Sequence, residues 1–372
     1  MDAAVAPVAA NLTSLTSRLS VKHSWMRTLT TDRSASIQSV CIQGVWGAIR
    51  GCLAASLSTD FDTILMVVPQ AADADIVAGD AMAFGANEAV ALPLSAADAT
   101  SASVRDEDYA QRLQILQRLL ARQPGDSQAD SETGPLVVTA YIGGLLQPVP
   151  TPEKLASSTR QIAVDDEIDP DDLRSWMVEA GFENTTAVQL PGEFSARGGL
   201  LDIYSADQPQ PIRIEFFGDT VESIRRFDPA SQRSTETLES IELAVIGASE
   251  SVHGEEDFEE ATSPRPSQPS QKEACHDASV IDYLPDDTLV VVVDPDEVQS
   301  SASKLLARSG ERVHLMDYAD INDELAKFVG CHASTIPAVG FDAAQDHLID
   351  LGTQSAEAFA SSLEEAKAKL DA

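Results

Sequence analysis

Two aliphatic runs, TILMVVP (63–69) and LVVVV (289–293), constrain this chain more than anything else in it. A strand with one wet face alternates apolar and polar residues. A strand that reads apolar without interruption is buried on both faces, as in parallel sheets covered by helices on each side. The neighbouring sequence supplies those helices. VCIQG (40–44) is followed by AIRGCLAASLST, AQRLQILQRLLA (110–121) carries leucines at helical spacing, and PLVVTAYIG (135–143) is a further buried strand. Strands alternating with helices specify an α/β layer with a largely parallel sheet. SVIDYLPDDTLVVVVDPDEVQSSASKLLARSG (279–310) resumes the same strand-then-helix pattern.

Between these stretches the character changes. LLQPVPTPEKL (145–155) is punctuated by three prolines. DPDDLRSWMVEAGF (169–182) then reads as a helix, with Asp169 as its cap, Pro170 in its first turn and Gly181 at its end. The period next switches to two, in GGLLDIYS (198–205), PIRIEFFGD (211–219) and TVESIRRFD (220–228). Gly218-Asp219 between the last two runs marks a hairpin, so this region predicts a small α+β domain. The expected organisation is α/β at 1–150, an α+β domain at 151–248 and more α/β at 279–372. Residues 249–278, acidic and then rich in Ser, Pro and Gln, read as a flexible linker. The amphipathic helix SAEAFASSLEEAKAKLDA ends the chain with no closing strand foreseen after it, so the second α/β piece looks truncated.

GVWGAIRG (44–51) lies between the first strand and its helix, where a phosphate-binding loop would lie. A working GxxxxGK[ST] loop needs glycines for close backbone approach, a lysine for the phosphates and a hydroxyl for magnesium. Gly44 and Gly47 are present, but Ile49 fills the glycine slot before the lysine, Arg50 replaces the lysine, and Gly51 replaces the hydroxyl. Arginine keeps the charge with another shape, and glycine ligates no metal. After LVVVV comes Asp294, with Pro295 where a neighbouring glutamate would stand and Asp296 and Glu297 displaced beyond it. The expectation is a tight strand-to-helix turn without chemistry, hence no enzyme and no cofactor in this chain.

Charge narrows the partners. Lys and Arg number 25 against 60 Asp and Glu, a formal charge of −35. Neutralising a phosphate backbone needs a basic surface, so nonspecific duplex binding is not expected. Arg225, Arg226 and Arg233 could gather into a small basic patch, but read better as a solvated strand face. The four cysteines (Cys41, Cys52, Cys275 and Cys331) form no CxxC pair, and the six histidines show no ligand spacing. Neither an apolar leader nor an apolar run of about 18 residues is visible. These features predict a reduced, cytoplasmic protein with no metal site and no membrane span.

The stretch PGEFSARGGLLDIYSADQPQPIRIEFFGDTVESIRRFDPASQRS (191–234) is the most specific in the chain. It resembles the homology module shared by UvrB and the transcription-repair coupling factors, whose pattern runs GEF, RGG, EFFGD, FD and QRS in that order. The intact UvrB loop, GVTGSGKT, aligns with GVWGAIRG position by position and differs at its essential residues. The resemblance therefore favours the degenerate UvrB-like part of the coupling factors over a divergent UvrB-like, ATP-dependent helicase. It implies a degenerate helicase-like, P-loop-type sheet domain with an inserted interaction domain that docks UvrA. It places Arg197, Arg213 and Phe217 where the family carries its UvrA-contacting residues. It also implies that ATP, magnesium, RNA polymerase and duplex DNA belong to a motor and other domains further along a longer protein. Alternation independently sets Ile212, Ile214 and Phe216 on one strand face and Arg213, Glu215 and Phe217 on the other. By the residues alone, Phe217 could instead cover the edge of its own core, and Arg213 could pair with Glu215.

Overall fold

The computed structural model describes residues 40–95, 107–123, 134–205, 208, 210–244, 278–309, 315–336, 347–351 and 353. The first α/β part contains β1 (Val40–Gln43), α1 (Ile49–Leu57), β2 (Thr63–Val68), α2 (Ala71–Ala83), β3 (Glu88–Leu92), α3 (Glu107–Leu120), β4 (Leu136–Tyr141) and α4 (Ile142–Leu146). The inserted part contains α5 (Pro152–Ser157), β5 (Thr159–Ala163), α6 (Pro170–Glu179), β6 (Glu183–Asn184), β7 (Glu193–Arg197), β8 (Leu200–Tyr204), β9 (Ile212–Phe217), β10 (Thr220–Phe227), β11 (Ser234–Leu238) and β12 (Ser240–Ala244). After a short 3-10 turn at Val280–Tyr283 come β13 (Leu289–Val293), α7 (Pro295–Ser309), α8 (Tyr318–Leu325), β14 (Val329–Ser334) and β15 (His347–Asp350).

The outer segments build one sheet. Its seven strands run β15-β1-β14-β13-β2-β4-β3, and every adjacent pair is parallel. β13 and β14, from beyond the insertion, lie between β1 and β2. The uninterrupted apolar runs have the burial they imply. Leu65 and Val67 of β2 point into one core with Leu113, Leu116, Leu145 and Val298. Ile64, Met66 and Val68 point into the opposite core with Leu53, Val77 and Val291. Helices α1 and α2 cover the second face, and α3, α4, α7 and α8 cover the first.

The insertion has its own core. Its six-stranded sheet runs β11-β10-β9-β8-β7-β6, beside a two-stranded sheet of β12 and β5. All pairs are antiparallel except β6 with β7. Leu173 and Met177 of α6 pack on Phe194, Leu201, Ile203, Ile212, Ile214 and Phe216. Asp169 caps α6 by accepting from the Asp171 amide at 2.8 Å, with Pro170 in the first turn. Gly181 follows the helix at φ 82°, a left-handed end that suits glycine. The architecture is thus the expected α/β sheet with an inserted α+β domain.

Helix α3 links the two parts. The buried Arg112 of α3 donates to the carbonyls of Pro93, Gly144 and Gln147. Burial pushes its pKa down to about 10. Ala110 of the same helix reaches the inserted core, so α3 touches both bodies. The elements not foreseen in the sequence include α2, β3, α8, β14 and β15. β15 pairs in parallel with β1 at the edge of the sheet. The proposed linker at 249–278 lies outside the described residues except for Ala278, which bridges to Val149. The helix expected at the end of the chain lies outside them as well.

Candidate functional site

At the carboxyl edge of the parallel sheet the glycine loop is closed by its own surroundings. Gly44 and Gly47 take φ 81° and 55°, left-handed values that glycine reaches without steric cost. Arg50, in the lysine position, does not point into an open cradle. It donates to Asp73 at 2.8 Å and lies 3.4 Å from both Asp294 and Thr335. Asp294, the acidic residue singled out at the end of LVVVV, also accepts from the Thr335 amide at 2.7 Å and its hydroxyl at 2.5 Å. The cation that would meet a phosphate is therefore neutralised by two carboxylates.

Packing completes the closure. A Cβ at Gly51 would stand 2.4 Å from Asp80 Cβ of α2, so glycine lets α1 and α2 approach where a hydroxyl side chain would collide. Thr353 donates to the Gly44 carbonyl at 2.6 Å and accepts from Trp46 Nε1 at 2.9 Å. Ile49 packs against the core below. Among the described residues no group of His, Cys, Asp or Glu stands close enough together to hold a metal ion. No described helix is long and apolar enough to cross a membrane.

The second candidate site is the outer face of the six-stranded sheet. β9 follows the expected alternation: Ile212 and Ile214 are fully buried, Phe216 is 7% exposed, and Phe217 is 80% exposed. Phe217 pairs with Thr220 across the two-residue turn Gly218-Asp219, with Gly218 at φ 65°. Arg197 is exposed at the end of β7, paired with Leu200 across the turn Gly198-Gly199. The two turns lie at the same end of the sheet and are laced together. The Phe216 amide donates to the Gly199 carbonyl at 2.7 Å, and a Cβ at Gly199 would stand 2.5 Å from the Phe216 carbonyl oxygen.

Arg213 shares that face but is held by the domain itself. Its Nε and Nη2 donate to the two carboxylate oxygens of Asp202, its cross-strand neighbour, at 2.7 and 2.8 Å. Its guanidinium also lies 4.6 Å from the centroid of the fully buried Phe227 ring. The Asp202 hydrogen bond raises the Arg213 pKa further. Pairing with Glu215 is therefore not what occurs. Glu215 faces Arg225 at 3.5 Å, and Arg226 meets Glu236 at 2.8 Å. Arg225 and Arg226 are thus paired along a strand face, as the sequence reading preferred, rather than gathered into a basic patch.

The remaining motif residues are structural. Glu193, of GEF, is buried and accepts from the amides of Gln189 and Leu190 at 2.8 and 3.0 Å. Asp228 accepts from the Ser231 amide at 2.7 Å. Gln232, at φ 57°, ties that turn to the Val188 carbonyl at 3.2 Å.

These motifs coincide with a known family. The model of the UvrB interaction domain matches residues 161–247, a range that includes the strands carrying Arg197, Arg213 and Phe217. The chain is also similar to the transcription-repair-coupling factor of Bacillus subtilis, 30% identical over 239 residues, which are 54% of this chain and 19% of that protein. The Mycobacterium bovis factor is 27% identical over 54% of this chain and 18% of its own length. The Myxococcus xanthus factor is 46% identical over 83 residues, 22% of this chain and 7% of that protein. The chain thus spans a fifth or less of the coupling factors it matches. Alternation along β9 assigns Arg213 and Phe217 to the outer face, as found, whereas the register of Arg197 had no local signal. Sequence reading overlooks Leu200, which is 38% exposed beside them; the only signal for it was the register of two hairpins.

Proposed function

We propose that this chain is a recruitment module of a transcription-repair coupling factor, docking UvrA of nucleotide excision repair at stalled RNA polymerase. The observation that carries the reading is Phe217, 80% exposed at a locked hairpin tip on the same sheet face as Arg197 two strands away, within a region matching the UvrB interaction domain. A rigidly held, exposed aromatic with arginines on the same sheet face is the composition of an interface hot spot. We place the docking residues at Arg197, Arg213 and Phe217. Asp202 and the Phe227 ring fix the Arg213 side chain, leaving its Nη1 edge to meet a partner.

The glycine loop supports a non-catalytic role. With Arg50 held by Asp73 and Asp294, and Gly51 packed on α2, it lacks the free cation and the metal-ligating hydroxyl of a nucleotide site. In this reading neither ATP nor magnesium is a cofactor of the chain. Contacts to RNA polymerase and duplex DNA, and ATP-driven movement, fall in parts of the coupling factors that this chain does not match. The setting is cytoplasmic, where those partners are.

The test is a titration of immobilised UvrA with the wild-type chain and with Phe217→Ala, beside thermal melts. Binding should weaken at least about tenfold for Phe217→Ala, roughly 1.4 kcal/mol, with an unchanged melt. Unaltered UvrA binding by a folded Phe217→Ala variant would place docking elsewhere.

A further inference from the structure

We propose that Leu200 is a fourth docking residue, and that the partner meets this end of the sheet with an apolar socket bordered by a carboxylate. The inference rests on the docking reading above and extends it to the chemistry of the partner surface.

Register makes the case. Leu200 pairs with Arg197 on one side and Glu215 on the other. It therefore lies on the outer face, in the strand between Arg197 and β9. Phe217 is two residues beyond Glu215 on the same face, which makes Leu200 and Phe217 diagonal neighbours, about 7 Å apart and within reach of long side chains. Both are large apolar residues left exposed, at 38% and 80%, and neither belongs to the core beneath. Two adjoining apolar side chains form a ridge rather than scattered exposure, and ridges of this kind mark interaction sites.

The ridge is preorganised. The Phe216–Gly199 hydrogen bond and the missing Cβ at Gly199 hold the two turns side by side. Little conformational freedom remains to be lost on association.

Charge identifies the border of the socket. Arg213, Arg225 and Arg226 are each held by a carboxylate of this domain. Arg197, at the end of the ridge, makes no ion pair among the described residues and is exposed. On a chain of formal charge −35, an acidic partner surface would be repelled elsewhere and drawn to this cation, fixing its register. The partner chemistry that fits is an apolar pocket for Phe217 and Leu200 with a carboxylate at the Arg197 end.

The experiment uses the full chain and UvrA, measuring affinity at several salt concentrations for Phe217→Ala, Leu200→Ala, Leu200→Phe, Arg197→Gln and Arg197→Lys, with melts of each. Leu200→Ala should bind about fivefold more weakly with an unchanged melt, and Leu200→Phe should bind normally. Arg197→Gln should weaken binding and flatten its salt dependence, which Arg197→Lys should retain. If Phe217→Ala loses binding while folded Leu200→Ala binds as wild type, the ridge is wrong and the docking reading stands. An unchanged salt slope for Arg197→Gln removes the carboxylate. Normal binding by Phe217→Ala sinks both readings. Should Leu200→Ala lower the melt, Leu200→Thr, which keeps strand propensity, decides the matter by the same criterion.

Discussion

Phe216 and Phe217 are adjacent and chemically identical, yet the strand gives them opposite fates. Phe216 is 7% exposed in the inserted core and Phe217 is 80% exposed. Truncating Phe216 to alanine should therefore cost about 3–5 kcal/mol of stability, read by urea denaturation, whereas Phe217→Ala should leave the curve unmoved. Arg213 breaks the simple rule that outward means dispensable for folding. Its loss would leave the half-buried Asp202 carboxylate without its two donors and uncover the Phe227 ring. Arg213→Ala should destabilise the domain by about 1–3 kcal/mol. Arg213→Lys should recover only part of that, since an ammonium cannot reproduce the two-pronged contact. A binding defect in either variant must accordingly be read against its melt.

The elements around the glycine loop are joined by charge and close packing. Arg50 links α1 to the start of α2 through Asp73 and to the end of β13 through Asp294. Arg50→Ala should leave the Asp73 and Asp294 carboxylates without their shared cation and lower stability by about 1–3 kcal/mol, measurable by chemical denaturation. Gly51→Thr would restore the hydroxyl of a working loop, but its side chain would meet α2 at Asp80. That substitution should destabilise by about 1–3 kcal/mol and yield no nucleotide binding by calorimetry; binding of ATP by a folded Gly51→Thr chain would contradict the closure described.

Across the whole molecule, the parallel sheet depends on strands from both sides of the insertion, because β13 and β14 separate β1 from β2. Ending the chain before residue 278 should therefore unfold the α/β layer, detected as loss of its cooperative transition. A second global property follows from two buried thiols. Burial raises the Cys52 pKa to about 11 and the Cys331 pKa to about 12, from a value of 9.0. An acid whose pKa is raised by folding stabilises the native state while protonated in both states. That stability is fully present below pH about 9 and is lost as pH rises toward 11, because the unfolded chain releases its protons first. Denaturation at pH 7, 9 and 10.5 should show the decline, and Cys52→Ala with Cys331→Ala should reduce it.

Local sequence alone determined the strands buried on two faces, the capped helix at Asp169, the Gly218-Asp219 hairpin and the opposite faces of Phe216 and Phe217. In each case the cause acts within a few residues: side-chain period, the φ range of glycine and proline, or a capping carboxylate. α2 escaped because AADADIVAGDAMA is small and weakly patterned, and β15 because a four-residue edge strand becomes one only beside β1. The partner of Arg213, the clasp on Arg50 and the place of Leu200 were settled by tertiary structure. Asp202 precedes Arg213 by eleven residues and Asp294 follows Arg50 by 244. Contacts across such separations depend on strand register and on the order of strands in a sheet, which no local pattern contains. Arg213 faces outward by alternation, but only the pairing of β8 with β9 places Asp202 beside it, turning an apparently free arginine into part of the domain's own structure.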